Sequence, residues 1–422
     1  MEKIYEVAIL GVGARGGDTY GRLINTHAKD KFKIVALCDM RKERLQRFAT
    51  EFGVDSSACF TDEEEFFKQK RADVLIIATQ DQDHYAHAMK AFECGYDIML
   101  EKPITDNREE CENLLSAQKK YGKKALVCHV LRYAPAFLKA KELLDAGSIG
   151  RLVAVTMLEQ VAYWHQAHSY VRGNWRNQNV TAPMILAKSC HDLDLLQYYA
   201  GAKCRSVSSV GDLAYFNSQN APEGAANRCT ECKYINDCPY SAKRIYVDRW
   251  LKVKNEDIWP YNILVEPPIT KEKLEKAIKD GQYGRCVFAC DNNVVDHQLT
   301  QMTFENGVKA TLTMTGFTAN SGRKIIFHGT TGELELNEEV DSLFVKKYGA
   351  EQVKVDFNID NHQGYGHGGG DYYLIKNLYD MIEGRASSVT SLDASIESHL
   401  MGISAEESRL NGGKLINVHK SL

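Results

Sequence analysis

Six residues near the start of the chain constrain its fold more than any other feature. Gly11-Val12-Gly13-Ala14-Arg15-Gly16 directly follows the apolar run Val7–Leu10 and opens a segment, Thr19–His27, in which Tyr20, Leu23, Ile24 and His27 share one helical face. In that position the glycines form a strand-to-helix turn. Gly11 permits the tight reversal, Gly13 lets the backbone approach a pyrophosphate, and Gly16 allows the helix to pack on its strand. The helix start offers unpaired N–H groups to an anion, and Arg15 adds a charged donor.

The pattern then repeats. Lys33–Cys38, Asp73–Ala78, Asp97–Leu100 and Lys124–Cys128 read as strands, with helices over Arg41–Phe52, His84–Cys94 and Glu109–Tyr121 that stop at Gly53, Gly95 and Gly122. Strands alternating with helices predict a parallel sheet covered on both faces, a doubly wound Rossmann domain over residues 1–128. Asp39 ends the second strand at the distance from the glycines where an acid meets the adenosine ribose hydroxyls, so NAD is the expected cofactor. Arg41 could receive a 2′-phosphate instead, which keeps NADP as the lesser alternative.

A length of 422 residues exceeds one core, and two domains are expected, the second over 129–422. The formal net charge of −4, with no block of like charges, gives no reason to expect nucleic acid. No apolar run approaches the ~18 residues of a membrane span, and the start lacks the features of a secretory signal, so a cytoplasmic protein is expected. The 12 cysteines fall mostly singly in apolar segments, as Cys38 and Cys128 do, and read as reduced thiols.

Leu100-Glu101-Lys102-Pro103, taken with the glycine motif, resembles the glucose-fructose oxidoreductase, inositol dehydrogenase and MocA family, whose hallmark is the Glu-Lys-Pro tripeptide. Ala78-Thr79 with His84 is similar to the family's loop after the fourth strand. Arg132-Tyr133 with Pro135 resembles its crossover into the second domain, and His191-Asp192-Leu193-Asp194 its active-site helix. The resemblance spans nearly the whole chain. It implies a C-terminal α+β domain built on a large, open, mostly antiparallel sheet, a homodimer or homotetramer, and cofactor contacts from Thr79, His84, Glu101 and Lys102.

Lys102 falls at the carboxyl end of a strand, where doubly wound sheets bind ligands, and a lysine there can hold a substrate hydroxyl and help remove its proton. Met184–Ala200 is predicted as one helix, with Ala187, His191, Asp194 and Tyr198 on one face. His191 resembles the family's catalytic histidine, and imidazole suits proton exchange near neutral pH. Many members carry an aspartate four residues earlier; here that position is Ala187, and Lys188 is the residue that could take over part of its work.

Tyr163, Trp164, His165, His168, Trp175 and Arg176 form an aromatic and basic stretch of the kind that stacks on sugar rings and reaches hydroxyls, and with Arg132 and Lys188 they are expected to line the substrate site. His165 and His168 also suit a metal, but no third ligand lies nearby in sequence. Gly366-His367-Gly368-Gly369-Gly370-Asp371 leads into a helix ending at Gly384, with Asp371 as its expected N-cap and His367 as a further substrate-site candidate, because some redox-assisted glycosidases of the superfamily have a similar His-Gly-Gly stretch.

Residues from about 215 to 291 lose strand periodicity and read as an insertion with little core, holding Cys229-x2-Cys232-x5-Cys238. Three clustered thiols suggest a structural zinc, with Cys286, Cys290 or Cys204 as the fourth ligand; an iron–sulfur centre is less expected because the ferredoxin C-x2-C-x2-C spacing is absent. Together these readings predict an NAD-dependent oxidoreductase acting on a secondary hydroxyl of a sugar, sugar derivative or inositol. The alternatives are a redox-assisted glycoside-cleaving enzyme and a non-catalytic dinucleotide-binding regulator.

Overall fold

The structure is a computed structural model that describes residues 3–253, 256–357 and 366–419. Strands β1 (Tyr5–Leu10), β2 (Phe32–Cys38), β3 (Cys59–Phe60), β4 (Val74–Ile77), β5 (Asp97–Leu100) and β6 (Ala125–Val127) form a parallel sheet in the order β3-β2-β1-β4-β5-β6. Val74 to Ile77 are fully buried because helices cover both faces, as a run of Val, Leu and Ile without polar alternation requires. The strand order reverses between β1 and β4, and ligands bind outside the carboxyl ends of the strands at such a reversal.

The second sheet has nine strands. β7 (Leu152–Val161), β8 (Cys204–Asp212), β9 (His297–Phe304), β10 (Lys309–Thr315), β11 (Ser321–Gly329), β12 (Gly332–Asn337), β13 (Ser342–Lys347), β14 (Gln352–Lys354) and β15 (Ile416–Asn417) lie in the order β14-β13-β12-β11-β7-β10-β9-β8-β15. Every neighbouring pair is antiparallel except β7 with β10. Burial alternates along these strands: Val155 and Met157, Leu312 and Met314, and Ile325 and Phe327 face the helices, while Leu299, Ile326 and Val210 stand exposed on the open face. The helix Leu392–Leu410 ties the domains together, since Leu392 and Ile396 pack into the first domain's core while Met401 and Ala405 pack into the second's.

Two local expectations need correction, and one stretch gains a conformation the sequence left open. The helix expected over 184–200 is broken: Met184–Ala187 and Cys190–Ala200 are separate, with Lys188 and Ser189 between them. The stretch from Tyr163 to Arg172 is helical, with Gln166 to Arg172 buried. The insertion has a core of its own, in which Phe216, Tyr246, Trp250, Tyr261, Leu274 and Val287 are buried against Ala167 and Val171 of that helix. Among the described residues no helix is long and apolar enough to cross a membrane. All 12 cysteines are free thiols.

Candidate active site

The glycine turn is as tight as its sequence requires. Gly11 sits at φ +88°, and a Cβ there would come within 2.5 Å of the Ala78 carbonyl; one on Gly16 would come within 2.0 Å of the Gly11 carbonyl. A Cβ on Gly13 would meet only the far end of Arg44, at 3.3 Å, so the middle glycine leaves room for an approaching group. Asp39 fixes the loop from the side: one carboxylate oxygen accepts from the Val12 N–H at 3.0 Å and the other from the Arg41 N–H at 2.9 Å. Each oxygen keeps a second lone pair. The Arg41 side chain is exposed beside it. The turn, the helix start at Ala14 and this carboxylate fit a dinucleotide, whose pyrophosphate the N–H groups and whose ribose Asp39 would hold.

Other residues expected at the cofactor are turned inward. Arg15 is bound to carboxylates, with Nε 2.7 Å from Glu101 and Nη2 2.7 Å from Asp371, and it also meets the Tyr20 hydroxyl. Glu101 is 4% exposed and accepts from Arg15, from the Tyr20 hydroxyl at 2.6 Å and from the Lys102 N–H at 3.0 Å. Burial raises its pKa, but the Arg15 and Lys102 charges outweigh that and hold the carboxyl below its usual range. Thr79 donates its hydroxyl to His87 Nδ1 at 2.9 Å. His84 is buried, and its Nδ1 donates to the Pro103 carbonyl at 2.6 Å, clipping the loop after β4 to the Glu-Lys-Pro turn. Glu101 and His84 therefore shape the cleft through the backbone they hold, while Arg15 and Thr79 remain partly exposed.

Lys102 and His191 come together at the carboxyl end of β5. The Lys102 ammonium donates to the Ala187 carbonyl at 3.3 Å and lies within electrostatic reach of His191. His191 is 7% exposed, and its Nδ1 is buried without a hydrogen-bond partner. Burial, then the charge on Lys102, pushes its pKa well below the ordinary imidazole value, so the ring is neutral. His367, at φ 45° and 38% exposed, places its ring 6.1 Å from His191 and its Nδ1 3.0 Å from Asp371. Asp371 is therefore not the N-cap. Its helix begins with Gly369 as cap, and the carboxylate, although buried, is held ionised by Arg15 and His367.

Beneath this pair runs a buried charge network that sequence reading missed. Lys188 reaches Glu159 at 2.8 Å, and Glu159 meets Arg323 at 3.1 Å. Arg323 in turn binds Asp192 at 2.6 Å and Glu338 at 3.1 Å. Burial lifts the Asp192 carboxyl to about 7, against the opposing charge of Arg323. The break in the helix leaves Lys188, still partly exposed, positioned to reach Glu159. His129 meets His191 edge-on with ring centres 5.9 Å apart, and its Nδ1 lies 2.5 Å from Asp194. Asp194 also takes both arms of Arg132, at 2.6 and 2.7 Å. Arg132 is 4% exposed and pins the helix carrying His191, so the expectation that it contacts substrate is corrected.

The aromatic stretch divides. His165 comes within electrostatic reach of Lys188 and Lys102, and burial drives its pKa well below the usual value. Its ring meets Trp259 at 4.9 Å, and Trp259 also meets Trp164 at 5.3 Å, while Arg249 caps Trp164 at 3.9 Å. Trp259 was invisible to sequence reading because it arrives from the insertion. Trp175 donates its indole N–H to Asp81 at 2.8 Å and so bridges the second domain to the loop after β4. Tyr163 lies partly exposed beside Tyr240. His168 faces away, stacked on Tyr283 at 4.9 Å and 3.0 Å from the Tyr246 hydroxyl, and burial pushes its pKa down to about 3. Arg176 pairs with Asp291 at 2.8 Å. Neither of these two is at the site. Among the described residues no three His, Cys, Asp or Glu side chains form a group that could hold one metal ion, so the structure does not establish the zinc expected at Cys229, Cys232 and Cys238.

Comparison with known proteins places this geometry in a family. The family model described as "Oxidoreductase family, NAD-binding Rossmann fold" matches residues 5–129, and its companion, "Oxidoreductase family, C-terminal alpha/beta domain", matches 141–415. YteT of Bacillus subtilis is 23% identical over 75% of this chain and 74% of its own length. The scyllo-inositol 2-dehydrogenase (NAD(+)) of Bacillus subtilis is 29% identical over 50% of this chain and 58% of its own. Among solved structures, levoglucosan dehydrogenase in complex with NADH superposes with a TM-score of 0.70 at 18% identity, covering 99% of this chain and 100% of that one. The WlbA dehydrogenase of Bordetella pertussis, in complex with NADH and UDP-GlcNAcA, gives 0.69 at 15% identity, covering 99% and 100%. The chain is an oxidoreductase of the glucose-fructose oxidoreductase, inositol dehydrogenase and MocA family, with an NAD-binding Rossmann domain.

Proposed function

We propose that this chain is a dehydrogenase that uses NAD to oxidise a secondary hydroxyl of a sugar, sugar derivative or inositol. The observation that carries the reading is the Lys102 ammonium, held on the Ala187 carbonyl, within electrostatic reach of a neutral His191 at the carboxyl ends of the Rossmann strands. The nicotinamide, when bound, takes up or returns a hydride. Lys102 donates a hydrogen bond to the alcohol oxygen and stabilises its developing negative charge, while the neutral imidazole of His191 accepts the hydroxyl proton. Lys188, oriented by Glu159, has further N–H groups for a second hydroxyl, and Trp164 with Trp259 offers an apolar wall to a sugar face. Relatives whose names specify inositol dehydrogenases, and neighbours bound to NADH or a nucleotide sugar, support the same class.

NAD is preferred over NADP in this proposal because Asp39 would face a 2′-phosphate with like charge. Self-association through the open face of the nine-stranded sheet, where Val210, Leu299 and Ile326 are exposed, belongs to the same proposal, and light scattering reads it. A panel of sugars, sugar acids and inositols followed by NADH absorbance tests the activity: turnover on at least one polyol is expected, and none across the panel counts against it. The second reading, redox-assisted glycoside cleavage, rests on His367 beside His191, a second imidazole able to protonate a leaving group. Release of free aglycone without net NADH would establish it in place of net oxidation.

A further inference from the structure

The insertion gathers four of its cysteines around one space. Cys229, Cys232, Cys238 and Cys286 line a cavity of about 250 Å³ walled by the rings of Tyr215, Tyr240 and Phe288. The backbone brings the distant Cys286 to the others: Arg228 and Arg285 form an antiparallel bridge, and the Cys286 N–H donates to the Asn227 carbonyl at 2.8 Å. The remaining candidates are elsewhere. Cys290 turns its thiol to the Cys286 carbonyl at 3.2 Å, and Cys204 lies in β8 against the carbonyls of Ser206 and Thr303.

Arg172 supplies an independent sign of a missing anion. Its side chain is fully buried and lines the same cavity. Nε donates to the Arg285 carbonyl at 2.7 Å, and Nη2 donates to the Tyr240 carbonyl at 2.7 Å and lies 3.5 Å from Cys229 Sγ. Nη1 has no partner, and no carboxylate pairs with this guanidinium among the described residues. A buried cation without a counter-charge is strongly unfavourable, so the cavity calls for a group with net negative charge.

A single zinc ion does not suit this arrangement. Zn–S bonds of about 2.3 Å bring tetrahedral thiolates to roughly 3.8 Å from one another, and no three of these side chains converge in that way. A cubane cluster interposes its own iron and sulfide, so its cysteines surround an open space instead of touching across it.

We propose that Cys229, Cys232, Cys238 and Cys286 ligate a four-iron, four-sulfide cluster in this cavity, balanced by the buried guanidinium of Arg172. Each thiol gives up its proton on ligation. Four thiolates on an oxidised core of charge +2 leave a net −2, and Arg172 offsets part of it, with Nη2 3.5 Å from Cys229 Sγ. The cluster's place in the fold is structural: it fastens the Cys229–Cys238 turn to the end of the insertion, beside Tyr240, which contacts the substrate-side Tyr163.

The test uses the full chain, purified without oxygen or reconstituted with ferrous iron and sulfide. The expected result is about four irons and four acid-labile sulfides per chain, with a broad visible absorption that bleaches on reduction. Cys286→Ser and Cys232→Ser should lose most of the bound iron, while Cys290→Ser and Cys204→Ser retain it. One zinc per chain without labile sulfide, or a chain that stays free of iron after reconstitution, overturns the proposal. The wild-type stoichiometry and the two retained variants decide the matter even if the ligand variants fail to fold.

Discussion

Replacing Lys102 with Met removes the ammonium and keeps most of the stem, so the cleft stays filled while the alcohol oxygen loses its donor. Lys102→Met is expected to bind NADH as the native chain does, measured by fluorescence titration, and to lose turnover by ~10²- to 10⁴-fold, the usual contribution of a positioned acid–base group. A variant within a few-fold of the native rate would contradict the role. His191 yields a pH prediction with two readouts. Its pKa lies well below the free-imidazole value of about 6.5, so the ring stays able to accept a proton as pH falls, and kcat/KM should not titrate near 6.5. Stability should behave differently. His165, His168, His191 and His399 all have depressed pKa values in the folded state, so below about pH 6.5 the unfolded chain binds protons that the folded chain does not, and stability falls with pH. Asp192, lifted by burial to about 7, works in the opposite direction over the same range, but one such carboxyl against four imidazoles leaves a net loss. Tm of the ligand-free chain is expected to drop between pH 7 and 5, and a flat or rising Tm would show that the buried imidazoles take up protons without unfolding.

At the scale of elements, the site depends on segments held by buried charges. The helix starting at Gly370 is tied to the glycine turn by Arg15 and Asp371, with Arg15 still 30% exposed. Breaking a buried pair costs roughly 3–5 kcal/mol, and the partial exposure of Arg15 with its second partner Glu101 reduces that to about 2 kcal/mol for Asp371→Asn, read by chemical denaturation. No measurable change would mean that the pair contributes nothing net. The first domain was largely legible in advance, because parallel strands buried on both faces leave continuous apolar runs and their helices end at glycines, as at Gly53 and Gly122. The pairing of Lys102 with His191 followed from a tripeptide and a helix motif read together. What escaped reading depends on partners far away in sequence. The break at Lys188 accompanies an ion pair with Glu159 on β7, Arg132 is buried by Asp194, and Trp259 meets His165 only because the insertion folds back. The insertion was read as nearly coreless because its apolar residues follow no single period; they come from short helices and turns that pack on one another and on Val171.

For the whole molecule, two domains meet so that a dinucleotide cleft faces a wall of imidazoles, lysines and aromatic rings. Cofactor choice belongs to this scale, since Asp39 serves both the glycine loop and the ribose. Asp39→Ala should weaken NAD binding by about 10-fold or more, the equivalent of ~1.4 kcal/mol for lost charge-assisted hydrogen bonds, and narrow the preference over NADP, as measured by the ratio of kcat/KM values. A native preference for NADP would instead assign the adenosine end to Arg41. The central claim is that this cleft moves a hydride between a carbinol carbon and the nicotinamide, and single-turnover transfer of deuterium tests it most directly. A polyol selected from the panel and deuterated at the oxidised carbon should deliver its label to NAD on the native chain and not on Lys102→Met. A native chain that binds NAD and substrate together yet forms no labelled NADH would contradict the account.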